Sequence, residues 1–66
     1  MSLTTKLREY RARDKLSQEE LAQKVGVRRE TIGNLENGRY NPSLKLAVDI
    51  SRAVGAPIEE IFVFES

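Results

Sequence analysis

The chain has 66 residues, no cysteine and no histidine, and 11 Lys/Arg against 10 Asp/Glu, for a net charge of +1. That length fits one small domain. The composition excludes disulfides and thiolate metal sites, and it excludes the imidazole that most often serves as metal ligand or acid–base catalyst. No apolar run approaches the ~18 residues of a membrane helix and no signal peptide is visible, so a cytoplasmic location is the default expectation. Charge is unevenly spread. Residues 1–45 carry ten basic and six acidic side chains, and the remainder carry Arg52 against Asp49, Glu59, Glu60 and Glu65. A basic front and an acidic back are compatible with nucleic acid on one side and a protein on the other, or with no function at all.

In chain order, Thr4 to about Arg13 is expected to be a first helix, capped by Thr4 or Thr5. Leu7 and Tyr10 face inward, and Ala12 allows close packing. Met1-Ser2-Leu3 carries little weight. Asp14-Lys15 ends the helix, which puts Lys15 in a left-handed conformation at roughly 1 kcal/mol, and Leu16 fills the gap that follows. Ser17 is a good N-cap, and Glu20 three residues on completes an S-x-x-E capping box. Gln18 to Lys24 is the second helix, with Leu21, Ala22 and Val25 on one face. Gly26 supplies the positive φ of a helix end. Arg29 to Glu36 is the third helix, with Ile32 and Leu35 three apart and Val27 packed at its start; Asn37-Gly38 closes it. Helices this short do not hold alone. They must cross steeply, with Ala22 at the contact and Val25, Val27, Ile32 and Leu35 filling the seam, an arrangement that describes a helix-turn-helix.

Beyond the motif, Asn41-Pro42-Ser43 is a turn and Ser43 caps a fourth helix, Leu44 to Val54. Leu46, Ala47, Ile50, Ala53 and Val54 form its core stripe. Gly55 ends it. Pro57 begins a very short fifth helix to about Phe62, with Ile58, Ile61 and Phe62 inward. The apolar Val63-Phe64-Glu65-Ser66 then reads as a terminal strand. The fold class is therefore all-α, five helices with a short C-terminal strand, in a single domain over 1–66. Aromatics at a chain end need a covering partner. Ile61, Phe62 and Phe64 are the expected contacts of a twofold dimer built from segment 57–66, one form of which pairs this segment with residues 1–3. The alternative is a strand folded onto its own monomer.

The run Gln18, Leu21, Ala22, Gly26, Val27, Ile32, Leu35 and Glu36-Asn37-Gly38-Arg39 resembles the phage repressor/Cro-like helix-turn-helix family. The resemblance continues through Tyr40-Asn41-Pro42-Ser43-Leu44 to Ile58-Glu59-Glu60-Ile61-Phe62, with the motif at 18–37. It implies that the third helix lies in the DNA major groove and that Arg29, Glu30, Thr31 and Asn34 reach base edges. Their chemistry agrees. Arginine can grip guanine with two donors, asparagine can bond adenine, glutamate can accept from cytosine, and threonine can meet a thymine methyl or a phosphate. The resemblance also pairs Arg11 with Glu36, and it makes Asn37-Gly38-Arg39-Tyr40 a phosphate clamp. In that clamp Arg39 supplies charge, Asn37 supplies amides, and Tyr40 either donates its hydroxyl or packs beneath the loop. Gln18 at a helix start is a second phosphate site.

Two positions break local rules. Arg28 stands at an N-cap, where it cannot accept from helix amides and adds positive charge to the positive dipole end. An arriving phosphate relieves that conflict; a merely tolerated surface arginine is the other reading. Gly33 weakens the middle of its helix, either to admit the duplex or to no effect. The whole reads as a sequence-specific regulator of double-stranded DNA, acting as a homodimer on a near-palindromic operator, with no cofactor and no metal. An antitoxin-like role with a protein partner is the competing reading. An enzyme is poorly supported, because the sequence offers no His or Cys, no glycine-rich phosphate loop and no carboxylate pair in a plausible cleft. An RNA-binding sheet with stacking aromatics is absent too.

Overall fold

The local signals that start and stop helices in this sequence are strong, and the chain follows them. The computed structural model describes residues 2–65, with side chains described for 3–63. In order the elements are β1 (Ser2–Thr5), α1 (Leu7–Arg13), α2 (Gln18–Val25), α3 (Arg29–Glu36), α4 (Leu44–Val54), α5 (Ile58–Ile61) and β2 (Phe62–Glu65). Ser17 accepts from the Glu20 amide while the Glu20 carboxylate accepts from the Ser17 amide, so both halves of the capping box form. Ser43 caps α4 by accepting from the Leu46 amide at 3.2 Å. Lys15 takes φ 58°, the only non-glycine residue with positive φ among the described residues.

Leu7, Leu21, Ile32, Leu35, Ile50 and Ile61 are fully buried, and Ala22, Leu46, Ala47, Val54, Ala56 and Phe62 complete the core. Burying each of the large members stabilises the fold by about 2 kcal/mol relative to exposure. That burial is what holds helices of seven or eight residues, which would not persist in water alone. Tyr10, Leu16, Val25, Val27, Ala53 and Ile58 pack around the rim of the core. No helix among the described residues is long and apolar enough to cross a membrane.

The two ends of the chain differ from expectation. The first helix begins at Leu7 rather than Thr4, and Lys6 at its N-cap makes no side-chain cap bond. Thr4 and Thr5 lie instead in β1, which pairs antiparallel with β2 in the register Ser2↔Glu65, Leu3↔Phe64, Thr4↔Val63 and Thr5↔Phe62. The Lys6 amide extends the pairing by donating to the Ile61 carbonyl at 2.8 Å. Weak threonine caps lose to strand pairing here, because β-branched residues fit a pleated surface and the ladder satisfies several backbone groups at once. The terminal strand thus folds onto its own chain. Ile61 and Phe62, expected at a dimer contact, are 0% and 5% exposed and belong to the monomer core. Phe62 opens β2 instead of ending the fifth helix. The side chain of Phe64 lies outside the described residues. Ala12, expected at a close contact, faces solvent.

Candidate nucleic-acid interface

The turn between α2 and α3 sets the site. Gly26 caps α2 with φ 73°, and the Val27 amide returns to the Ala22 carbonyl at 3.0 Å. This bend turns Ile32 and Leu35 into the core and leaves Arg28, Arg29, Glu30 and Asn34 exposed along the outer side of α3, with Thr31 half-buried beside them. The outer side is a ridge of long polar side chains on a helix whose inner side carries Ile32 and Leu35 into the core. Every side chain expected to reach a base edge lies on it.

The far end of α3 is fastened by a buried carboxylate. The Glu36 side chain has 0% exposure. Arg11 Nε donates to its Oε2 at 2.7 Å and Arg11 Nη2 to its Oε1 at 3.3 Å, while Gln18 Nε2 donates to Oε1 at 3.0 Å. Arg8 reaches the same oxygen at 3.5 Å. Burial raises the Glu36 carboxyl, but donation from Arg11, then Gln18, and the Arg11 charge together outweigh it and hold the group below the usual carboxylate range. Arg11 also donates to the Leu16 carbonyl at 2.9 Å, so α1, the connection to α2, and α3 meet at one guanidinium. The pairing of Arg11 with Glu36 stands in the structure, and it includes Arg8 and Gln18, whose part in it sequence reasoning missed. For Arg8 the one signal was helical spacing, three residues before Arg11 on the same face of α1; Gln18, on α2, had none.

The loop after α3 differs from its expected chemistry. The Asn37 amide donates to Gly33, the Gly38 amide to Leu35 and the Arg39 amide to Asn34. These three amides close the helix end, so Asn37 does not supply amides for phosphate. What the loop offers outward is the exposed side chains of Asn37, Arg39 and Tyr40. Tyr40 is 45% exposed and borders a shallow hollow with Val27, Thr31, Ser43 and Leu46, so it has both a packed side and a free one.

The family profile described as helix-turn-helix matches residues 7–61. The chain belongs to the helix-turn-helix family. A helix-turn-helix-type transcriptional regulator of Archaeoglobus fulgidus, itself uncharacterized, is 57% identical over 63 residues, covering 96% of this chain and 89% of the relative. The immunity repressor protein of Bacillus phage phi105 is 31% identical over 92% of this chain, which spans 42% of that repressor. Among solved structures, the restriction-modification controller protein of Aeromonas hydrophila superposes with a TM-score of 0.75 at 37% identity, covering 82% of each chain. The relatives support a DNA-binding transcriptional regulator of the Cro/C1 type.

Within this helix-turn-helix, Gln18 is more engaged than a free phosphate ligand. Its side-chain nitrogen donates to Glu36, and its oxygen accepts from Arg29 Nη1 at 3.4 Å. A continuous path therefore runs from Arg11 through Glu36 and Gln18 to Arg29 on the ridge. At the start of α3, Arg28 is extended (φ −82°, ψ 154°) and gives no side-chain cap bond. The structure brings Gln18, Arg28, Arg29, Glu30, Thr31 and Asn34 onto the α2–α3 unit, with Asn37, Arg39 and Tyr40 at its end. It separates Ile61 and Phe62 from them, in the core beneath.

Proposed function

We propose that the chain regulates transcription by binding double-stranded DNA sequence-specifically, as a homodimer on a near-palindromic operator, with α3 in the major groove. The observation that carries this is the exposed ridge of Arg28, Arg29, Glu30 and Asn34 on a helix aimed by a fully buried carboxylate. Arg29, Glu30, Thr31 and Asn34 read bases; Gln18, through its backbone amide, with Arg28, Asn37, Arg39 and Tyr40, meets phosphate. Twofold symmetry sets two ridges about 34 Å apart, on successive turns of one groove face. With Ile61 and Phe62 used in the monomer core, the dimer contact falls to the outer side of the sheet, where Val63 is 36% exposed. The same reading puts the protein in the cytoplasm with its DNA.

The test is selection of bound duplexes from a random pool, followed by titration of the selected site. Arg29→Ala should weaken the selected site far more than random DNA, and Arg39→Ala should weaken both and reduce the salt slope by about one. Equal losses for Arg29→Ala on both would remove base readout. The antitoxin-like reading has less to stand on. Two acids of the proposed protein-binding back are engaged within the chain, Asp49 by Lys45 at 2.8 Å and Glu60 by the Tyr10 hydroxyl at 3.2 Å.

A further inference from the structure

β1 touches more than β2. The Thr5 hydroxyl donates to the Glu36 carbonyl at 3.3 Å, across 31 positions of sequence. A Cβ on Gly38 would stand 2.8 Å from the Leu3 carbonyl oxygen, closer than real Cβ contacts come, and Gly38 also has φ 70°. Strand backbone and loop backbone therefore meet where only glycine fits. The two contacts bracket Asn37 and immediately precede Arg39 and Tyr40. From the other side, the carbonyls of Gly33, Asn34 and Leu35 hold the loop by accepting its three amides. The next carbonyl, Glu36, takes the strand hydroxyl.

We infer that β1 is part of the DNA-binding apparatus, with Thr5 a positioning residue that sets the loop carrying Arg39 and Tyr40 against the phosphate backbone. This rests on the reading of that loop as a phosphate contact. A guanidinium on a loop already fixed loses less conformational freedom when it binds, so the tether adds to affinity without touching DNA. Phosphates carry no sequence information, so the tether acts equally on every duplex. The matched family span begins at Leu7, two residues after β1 ends. The tether is thus an element added beside the motif.

The experiment compares Thr5→Val, which keeps shape and β-branching but loses the donor, with Thr5→Ser, which keeps the donor. The thermal midpoint of each variant controls for loss of strand stability. Dissociation constants are measured on a random-sequence duplex and on the selected site at several salt concentrations, beside the thermal midpoint of each variant. The loss of one such hydrogen bond predicts that Thr5→Val binds both duplexes about three- to tenfold more weakly. Specificity should be unchanged, Thr5→Ser should bind like the parent, and Thr5→Val should add little in an Arg39→Ala background. Parental binding by Thr5→Val, failure of serine to restore it, or an undiminished loss on Arg39→Ala would each overturn the inference. The underlying reading is separately tested by Arg39→Ala alone. If that variant binds random DNA like the parent, the loop is no phosphate contact. If it weakens binding while Thr5→Val does not, only the tether fails.

Discussion

Helices α2 and α3 are both eight residues long and share one apolar seam, yet they begin in opposite ways. α2 starts with a complete capping box, and the Ser17 donors hold the Glu20 carboxyl below its ordinary value. α3 starts at Arg28, with no side-chain acceptor for its first amides and positive charge added to the positive end of its dipole. The supporting helix obeys the local rules and the presenting helix breaks them. Departures of this kind gather where a partner supplies what the chain leaves out. Besides the burial of Ile32 and Leu35, what fastens α3 is its other end, where Glu36 ties it to α1 and α2.

The sharpest way to break this contrast is at that end. Glu36→Gln leaves Arg11 without its counter-charge in a largely buried site and should lower unfolding free energy by about 3 kcal/mol in a denaturant titration. Because the folded Glu36 carboxyl lies below the unfolded glutamate value, its contribution is complete above the unfolded value. It is lost as pH falls through the folded one. The parent should therefore lose stability on acidification more steeply than Glu36→Gln does; parallel curves would deny the carboxylate its role.

At the helix starts the effects are smaller and of opposite sign. Ser17→Ala should destabilise by about 1 kcal/mol, since it strips a working cap. Arg28→Ser should stabilise by slightly less, about 0.5–1 kcal/mol, by creating the cap that α3 lacks. If Arg28 serves phosphate, the same variant should bind all duplexes more weakly while melting higher. A variant that gains stability with no loss of affinity would make Arg28 a tolerated surface residue.

The smallest expected change is in the middle of α3. A Cβ on Gly33 would have only Gln18 Nε2 within 4 Å, at 3.9 Å. Gly33→Ala should therefore stabilise by about 0.5 kcal/mol through helix propensity alone. Parental affinity in that variant would show that the duplex does not need the bare backbone at this position; weaker binding at higher stability would show that it does.

The middle of the chain was legible residue by residue. Ser17 and Glu20 announce α2, Gly26 announces its end, and the three-residue spacing of Ile32 and Leu35 gives the buried side of α3, hence the exposed one. These are signals with a range of one helical turn, and the structure repeats them. Legibility fails where distant segments meet. Thr4 and Thr5 look like helix caps until a strand from the other end of the chain offers a ladder. Ile61, Phe62 and their neighbours look like a sticky patch until β1 and α4 close over them. Asn37 looks like an amide donor until the loop is seen to return its amides to α3.

Caps, apolar periodicity and glycine conformations are local properties, and the order of amino acids was enough to determine the helices, the seam between α2 and α3 and the identity of the outward ridge. Which carboxylate is buried with three donors, and which strand lies against Gly38, depend on contacts between residues 18 to 63 positions apart. Those contacts are chosen by the joint packing of all the elements, because no short stretch contains both partners, and only the folded chain decides them.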